Sequence, residues 1–344
     1  MIQIGKTIKE LDKLAKHHQA TIEKEIGLAD LLEARIQGLT DPNEHLFYST
    51  IKINLSEILT GHPDKLQTII GQINPLYQNI LRDRYANHPT NPHVSDSNKK
   101  TIRKNLANEV MGIFNYGKFT SKTDGKLAYQ HSNNLGVTVC LYCNVSYTFT
   151  IQTSRGKARP QFDHFFNKAK FPYLALSFYN LIPSCYSCNA SLKGDKEFNM
   201  NTHIHPFVEG FDRTTVFITG VKQVEYLLGK SGFDISFHAP FNDLKSKRIK
   251  NNCDVFHILE SHKFQAEYAG EIIRKAYFYS DSRVKELYRE FKIENTDQHI
   301  FGSEAEIIEM VFGNHVSDDK LPNRVLSKLT RDILEELKII KPSV

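Results

Sequence analysis

Long apolar runs are missing from this sequence: none approaches the roughly 18 residues that a membrane helix needs, which argues against a membrane partner. The start of the chain, "MIQIGKTIKELDKLAKHH", is charged and amphipathic, unlike a secretory leader, so a cytoplasmic location is expected. A large charge excess is missing too. With 44 Lys+Arg against 39 Asp+Glu the net charge is +5, and composition alone does not mark a nucleic-acid binder. There is no internal repeat and no low-complexity tract. No Gly-x-x-x-x-Gly-Lys-Ser/Thr stretch is present either, so any ATP-driven control falls to a separate partner protein. Cysteine is scarce, and that makes its arrangement informative. Of five cysteines, four form Cys140-x-x-Cys143 and Cys185-x-x-Cys188, while Cys253 stands alone and reads as a buried structural residue. A reducing compartment disfavours disulfides, leaving metal binding as the first reading of the pairs.

At 344 residues the chain has room for two or three modules. Residues 1–125 read as helical: Ile4, Ile8, Leu11 and Ala15 recur at spacings of three and four, as do Ile51, Leu55 and Ile58, then Leu66, Ile69 and Ile73. Breaks are expected at "TGHPD" and at Asn74-Pro75. Residues 86–100 read as a loop or linker, and residues 101–114 as a further helix. Residues 126–210 change period. In "VSYTFTIQ" the residues Val145, Tyr147, Phe149 and Ile151 alternate with polar ones, the pattern of a half-buried strand, and "QFDHFF" is expected to return beside it after the turn "TSRGKARP". Residues 211–344 show some strand character in "TTVFITG" and "FDISFH", then mainly helix, with Leu259, Ala266, Ala269, Ile273 and Ala276 on one face and Leu326, Leu329, Ile333 and Ile340 on another.

Two Cys-x-x-Cys knuckles suit tetrahedral Zn²⁺, because each turns tightly enough to aim two sulfurs at one ion. A redox dithiol would need one pair and a thioredoxin-like context that is absent. Between the knuckles lie Asp163, His164 and Asn180. A carboxylate is a hard-cation ligand, and a neutral imidazole is a good base near pH 7. One Asn can hold such an imidazole, and a second can offer an oxygen to Mg²⁺. Those are the parts that phosphodiester hydrolysis requires.

The order Cys140-x-x-Cys143, Asp163-His164, Asn180, Cys185-x-x-Cys188-Asn189, Lys193 resembles the zinc-knuckle branch of the HNH (ββα-metal) endonucleases over residues 135–207. The resemblance implies an α+β chain with a small zinc-stapled ββα module embedded between mainly helical N- and C-terminal regions. It implies His164 as general base, Asn180 as the residue that orients it, Asp163 and Asn189 as ligands of a catalytic Mg²⁺ or Mn²⁺, and the four cysteines as ligands of a structural Zn²⁺. Asn189 replaces the family's usual last His, an HNN variant, and His203 and His205 are rival ligands. Lys193, Lys196, Arg159 and Lys170 are candidate phosphate contacts. Further basic stretches run from Lys99 to Lys126 and through "KSKRIK". The expected function is a DNA endonuclease, a resemblance to bacterial anti-phage effectors that work with an ATPase or sensor partner. An RNA- or tRNA-cleaving toxin and a non-catalytic zinc module are the alternatives, and the helical ends are candidates for homo-oligomer formation.

Overall fold

Thr7 and Glu10 start the first helix. The Thr7 hydroxyl accepts from the Glu10 amide, and the Glu10 carboxylate accepts from the Thr7 amide, a reciprocal cap that satisfies two donors at once. This helix, α1 (Ile8–Ile26), ends at Gly27, whose φ of 67° is the left-handed geometry glycine adopts without strain, and α2 (Leu28–Gln37) starts there. The computed structural model describes residues 1–121, 123, 126–211, 215–238, 243–294 and 296–341. Helices α3 (Pro42–Ile53), α4 (Leu55–Thr60), α5 (Pro63–Ala86), α6 (Asp96–Phe114), α7 (Tyr116–Thr120) and α8 (Leu127–Leu135) complete the N-terminal part. The chain is α+β and mostly helical, with two-stranded sheets only among the described residues.

Asn74-Pro75 does not break a helix: Pro75 lies inside α5. Pro75 and Gly71, four residues earlier, are both exposed, so the carbonyl that loses its amide partner faces water while Ile69, Ile73 and Tyr77 stay packed. The expected break at "TGHPD" and the following loop coincide with real ends, since α4 stops at Thr60 and α5 at Ala86.

The middle pairs differently from the sequence expectation. Only Ile151–Gln152 (β1) of "VSYTFTIQ" forms a strand, and it pairs with Lys157–Ala158 (β2). Pro160 follows and has no amide to extend that ladder. Gln161–His164 (β3) therefore takes a distant partner, Leu181–Ser184 (β4), antiparallel, with Asp163 opposite Ile182 and His164 opposite Leu181. The second knuckle then opens a seven-residue helix, Ser187–Lys193, wound in π fashion, with the Gly194 amide on the Asn189 carbonyl.

Beyond it come β5 (Val216–Ile218), α9 (Gln223–Leu227), β6 (Ser236–His238), α10 (Leu244–Phe256), α11 (Ile258–Lys263), α12 (Ala266–Phe278), α13 (Asp281–Glu290), α14 (Glu304–Phe312) and α15 (Ser327–Glu336). The face read from Leu259 to Ala276 is shared between α11 and α12. Thr214 of "TTVFITG" and Lys122 of the Lys99–Lys126 stretch lie outside the described residues. The "KSKRIK" cations sit on α10, where Arg248 pairs with Glu209 and Lys250 with Asp254. One continuous apolar core joins the three regions read from the sequence. The extreme N-terminus runs through it: the Ile2 amide bonds the Leu141 carbonyl and the Ile4 amide the Pro206 carbonyl, each at 3.0 Å.

Proline in a helix interior costs about 3 kcal/mol against alanine, partly offset by the stiffer unfolded chain. Pro75→Ala should stabilise the protein by about 1 to 2 kcal/mol in urea denaturation. No gain, or a loss, would mean that residue 75 does not sit inside a helix.

Candidate metal centre and the hairpin beside it

The four cysteines converge. Their sulfurs all lie within 4.8 Å of one another, with Cys143 Sγ 4.0 Å from Cys185 Sγ. A tetrahedron with Zn–S bonds of about 2.3 Å has sulfurs about 3.8 Å apart, so the set fits a zinc ion after a small contraction. The backbone is arranged for it. The Val145 amide donates to Cys143 Sγ at 3.4 Å and the Cys188 amide to Cys185 Sγ at 3.5 Å. Asn144 takes a left-handed φ of 55° to close the first turn, and its side chain holds the start of α15 through the Ser327 hydroxyl and the Lys328 and Arg324 backbone. Burial pushes the Cys140 thiol up, while hydrogen bonds from Cys140 and the other thiols pull Cys185 down. A divalent cation resolves that conflict by taking all four as thiolates. No other such cluster of His, Cys, Asp or Glu occurs among the described residues.

Tyr142, inside the first knuckle, ties this centre to Asp163. Its ring stacks on Phe256 with centroids 4.2 Å apart, and its hydroxyl donates to Asp163 Oδ2 at 2.6 Å. The other oxygen, Oδ1, accepts from Lys193 Nζ at 2.9 Å, and Nζ also donates to the His164 carbonyl at 2.7 Å. Asp163 is 2% exposed and Lys193 3%. Such a buried pair persists because each charge is both opposed and hydrogen-bonded. Gln161 and Asp163, two apart on β3, present to the Ser187–Lys193 helix: Asn189 Nδ2 donates to Gln161 Oε1 at 2.8 Å, while Lys193, one turn on, reaches Asp163. The expected hard-cation pair is therefore not assembled as a site. Both oxygens of Asp163 are taken, and an ammonium stands where a cation would.

His164 points the other way. Its Nε2–H donates to the Ala175 carbonyl at 3.0 Å, which leaves Nδ1 as the nitrogen with a lone pair. The Tyr116 ring covers it edge-on at 5.2 Å, and Lys168 sits 4.7 Å over that same ring. Burial, with Lys168 and Lys193 nearby, holds its pKa down at about 3, so the ring is neutral at physiological pH.

The segment between β3 and β4 is fastened by side chains on its carbonyls. Asn180 Nδ2 donates to Leu174 and Phe166, His18 Nε2 to Leu176 at 2.8 Å, and His205 Nε2 to Tyr179 at 2.8 Å; Asn180 Oδ1 accepts from the Phe166 amide at 2.7 Å. Asn180 thus acts on the loop that holds His164 and has no bond to the imidazole itself. His205 belongs to this clamp, and His203 stacks on Phe198 with centroids 3.6 Å apart; among the described residues neither forms a ligand cluster with Asp163. Of the candidate phosphate contacts, Lys193 is enclosed, Lys170 pairs with Glu197, and Lys196 caps the Leu192 carbonyl at 2.7 Å. Arg159 folds over Phe162 and Tyr129 at 5.5 and 5.8 Å. The roles of Tyr142, His18 and Tyr116 escape sequence reading, because nothing in the spacing of a tyrosine or a lone histidine marks its distant partner.

Compared with known proteins, the chain matches no family model, no curated protein and no solved structure. What the fold and site define is an α+β chain with a four-cysteine cluster that could hold a structural metal such as zinc. Among the described residues no helix is long and apolar enough to cross a membrane.

Purified protein should carry one zinc per chain by elemental analysis. Cys185→Ser should lose it and open residues 144–184 to protease, since the metal's binding energy is folding energy here. A folded, protease-resistant Cys185→Ser protein would count against a structural metal. Acid should weaken the clamp. Burial holds His18 at about 4 and His205 at about 3, whereas both titrate near 6.5 when unfolded. Their neutral forms stabilise the fold above pH 6.5, and that contribution is lost as pH falls through the window down to about 4. His205→Gln should flatten the slope of unfolding free energy between pH 6 and 4.5 by about 1.4 kcal/mol per pH unit; an unchanged slope would show that His205 is not buried neutral.

Proposed function

We propose that the chain is an endonuclease of HNH type that hydrolyses phosphodiester bonds in DNA, with His164 as general base. What supports the reading is the order in space: an antiparallel pair β3–β4, then a helix opened by the second knuckle, with Asp163 and His164 closing β3. Asn180 stands just before β4, and Asn189 and Lys193 lie on the helix. His164 is held by its Nε2, so Nδ1 is the nitrogen that takes a proton from an attacking water. A phosphodiester beside it brings negative charge, which raises an imidazole's pKa and moves a ring held near 3 towards the working range. Reaching Nδ1 requires Tyr116 and Lys168 to give way. The positive charge that would meet the developing oxyanion is either Lys193, enclosed against Asp163 and therefore required to move, or the Mg²⁺ or Mn²⁺ expected from the sequence at Asp163 and Asn189, which would have to displace that lysine. Chelation decides between them. Action in anti-phage defence, under an ATPase or sensor partner, enters this reading through the resemblance alone.

One observation favours the non-catalytic alternative. The Asp163–Lys193 pair and the covered His164 also suit a zinc module that only binds, in which these groups are internal braces.

Supercoiled plasmid and total RNA should be incubated separately with the protein, with Mg²⁺ and with EDTA, beside His164→Ala whose zinc content and fold are intact. Wild type should cleave the plasmid, and loss of the base should slow it by about 10² to 10⁴. Activity that survives EDTA assigns the charge to Lys193. Cleavage of RNA alone changes the substrate, and equal rates for wild type and variant remove His164 from the chemistry. Failure of wild type to cleave either polymer favours the binding module.

A further inference from the structure

The ribbon that leaves the first knuckle is inside out. Tyr147, Phe149 and Ile151 alternate with threonines as a half-buried strand does, yet these three are 54%, 51% and 43% exposed. The polar residues take the inner positions: Thr148 is buried, with its amide on the Thr138 carbonyl at 2.8 Å, and Thr150 Oγ1 donates to Ser132 Oγ at 2.6 Å. Burying two hydroxyls while showing two aromatic rings to water reverses the usual order of free energy. Both ends of the ribbon are fixed. Val139 bridges Tyr147, the Cys140 amide bonds the Ser146 carbonyl at 2.9 Å, and Ile151 pairs with Ala158, three residues before β3 begins at Gln161.

The charge around the ribbon has one sign. From Lys126 to Phe162 the chain has four basic residues and no Asp or Glu. Arg155, at the turn between β1 and β2, is exposed, and Lys157 opens β2. Aromatic faces with cations along the same segment match a polyanion that carries flat apolar faces of its own. The Tyr147 and Phe149 centroids are 6.3 Å apart, nearly twice the ~3.4 Å rise of stacked bases. Each ring can therefore take one base of an extended strand, which a paired duplex does not offer.

We propose that Tyr147 and Phe149, with Arg155 and Lys157, form a stacking surface for single-stranded nucleic acid. This rests on the nucleic-acid substrate of the reading above and deepens it. The surface feeds β3 and thus the residues on either side of Asp163, so a strand held on it is tethered close to the hairpin. A displaced or unpaired strand is the occupant that this chemistry recognises.

The test is fluorescence polarisation of full-length protein with fluorescein-labelled oligothymidylate and with a labelled duplex, in EDTA so that nothing is cut. Tyr147→Ala/Phe149→Ala should bind oligothymidylate at least tenfold more weakly than wild type, with duplex binding little changed. Phe264→Ala, at an even more exposed aromatic elsewhere, should bind as wild type. Arg155→Ala/Lys157→Ala should weaken binding and make it less salt-dependent. Zinc content confirms that each variant is folded. Wild type that binds no oligothymidylate, or a double aromatic variant that binds it undiminished, overturns the proposal. So does self-association in light scattering that the aromatic double variant abolishes, because the ribbon would then be covered by a second copy. The nuclease reading fails separately. If His164→Ala binds oligothymidylate as wild type does and both cleave alike, the surface stands and the base assignment falls. If plasmid cleavage depends on His164 while binding ignores the ribbon, the reverse holds.

Discussion

Forty-one residues separate Cys143 from Cys185, and their sulfurs end 4.0 Å apart. Closing a loop of that length costs conformational entropy that the short β3–β4 ladder alone is poorly placed to offset. An ion held by the four cysteines would offset it with a few short bonds. Everything between the knuckles hangs from that closure: the outward ribbon, the β1–β2 turn, β3 with Asp163 and His164, the clamped loop and β4. The closure also reaches outward. Asn144 grips α15 and Leu141 receives the N-terminal segment, so the centre is braced by chain far from it in sequence.

Around the cysteines the fold is organised by buried polar groups more than by sheet. The strands are too short to hold a loop in place, and the carbonyls of residues 175, 176 and 179 take their bonds from His164, His18 and His205, while Asn180 adds a second bond to the Leu174 carbonyl beside that from the Ser177 amide. Three of these four donors are imidazoles kept neutral by burial. A neutral imidazole gives one N–H without importing a charge, which a lysine in the same place would do. His164 is thereby a neutral brace on the Ala175 carbonyl. The bond that fixes its Nε2 is also what leaves Nδ1 with its lone pair.

The legible parts of the sequence were those with local causes. The two knuckles, the helices with apolar residues at spacings of three and four, and the ends at Thr60 and Ala86 are each set by residues close in the chain. Pro75 defeated the local rule because an exposed helix face lets water replace the missing bond. The pairing of β3 with β4 was hidden because the strands are far apart in the chain and meet inside a loop whose ends converge at the four cysteines. The direction of the ribbon was hidden because alternation fixes which residues share a face and leaves open which face meets the core. Lys193 was read as a surface cation, since sequence gives its charge and says nothing of the carboxylate 30 residues back that takes it inside.

That ion pair poses the remaining mechanistic choice in physical terms. A lysine buried against Asp163 supplies a fixed positive charge without any ion from solution, but it takes one of the two oxygens on which a hard cation would depend, and Tyr142 takes the other. A divalent ion carries twice the charge, yet it must expel an ammonium that has three donors and uses two of them here. Removing Lys193 would leave Asp163 an uncompensated buried carboxylate, the costliest state of all. The carboxylate is therefore paired in this structure, and any divalent ion bound there would have to replace the ammonium. Tyr142, anchored on Phe256 and bracketed by two cysteines, holds its own hydrogen bond on Asp163 Oδ2 independently of the ammonium on Oδ1.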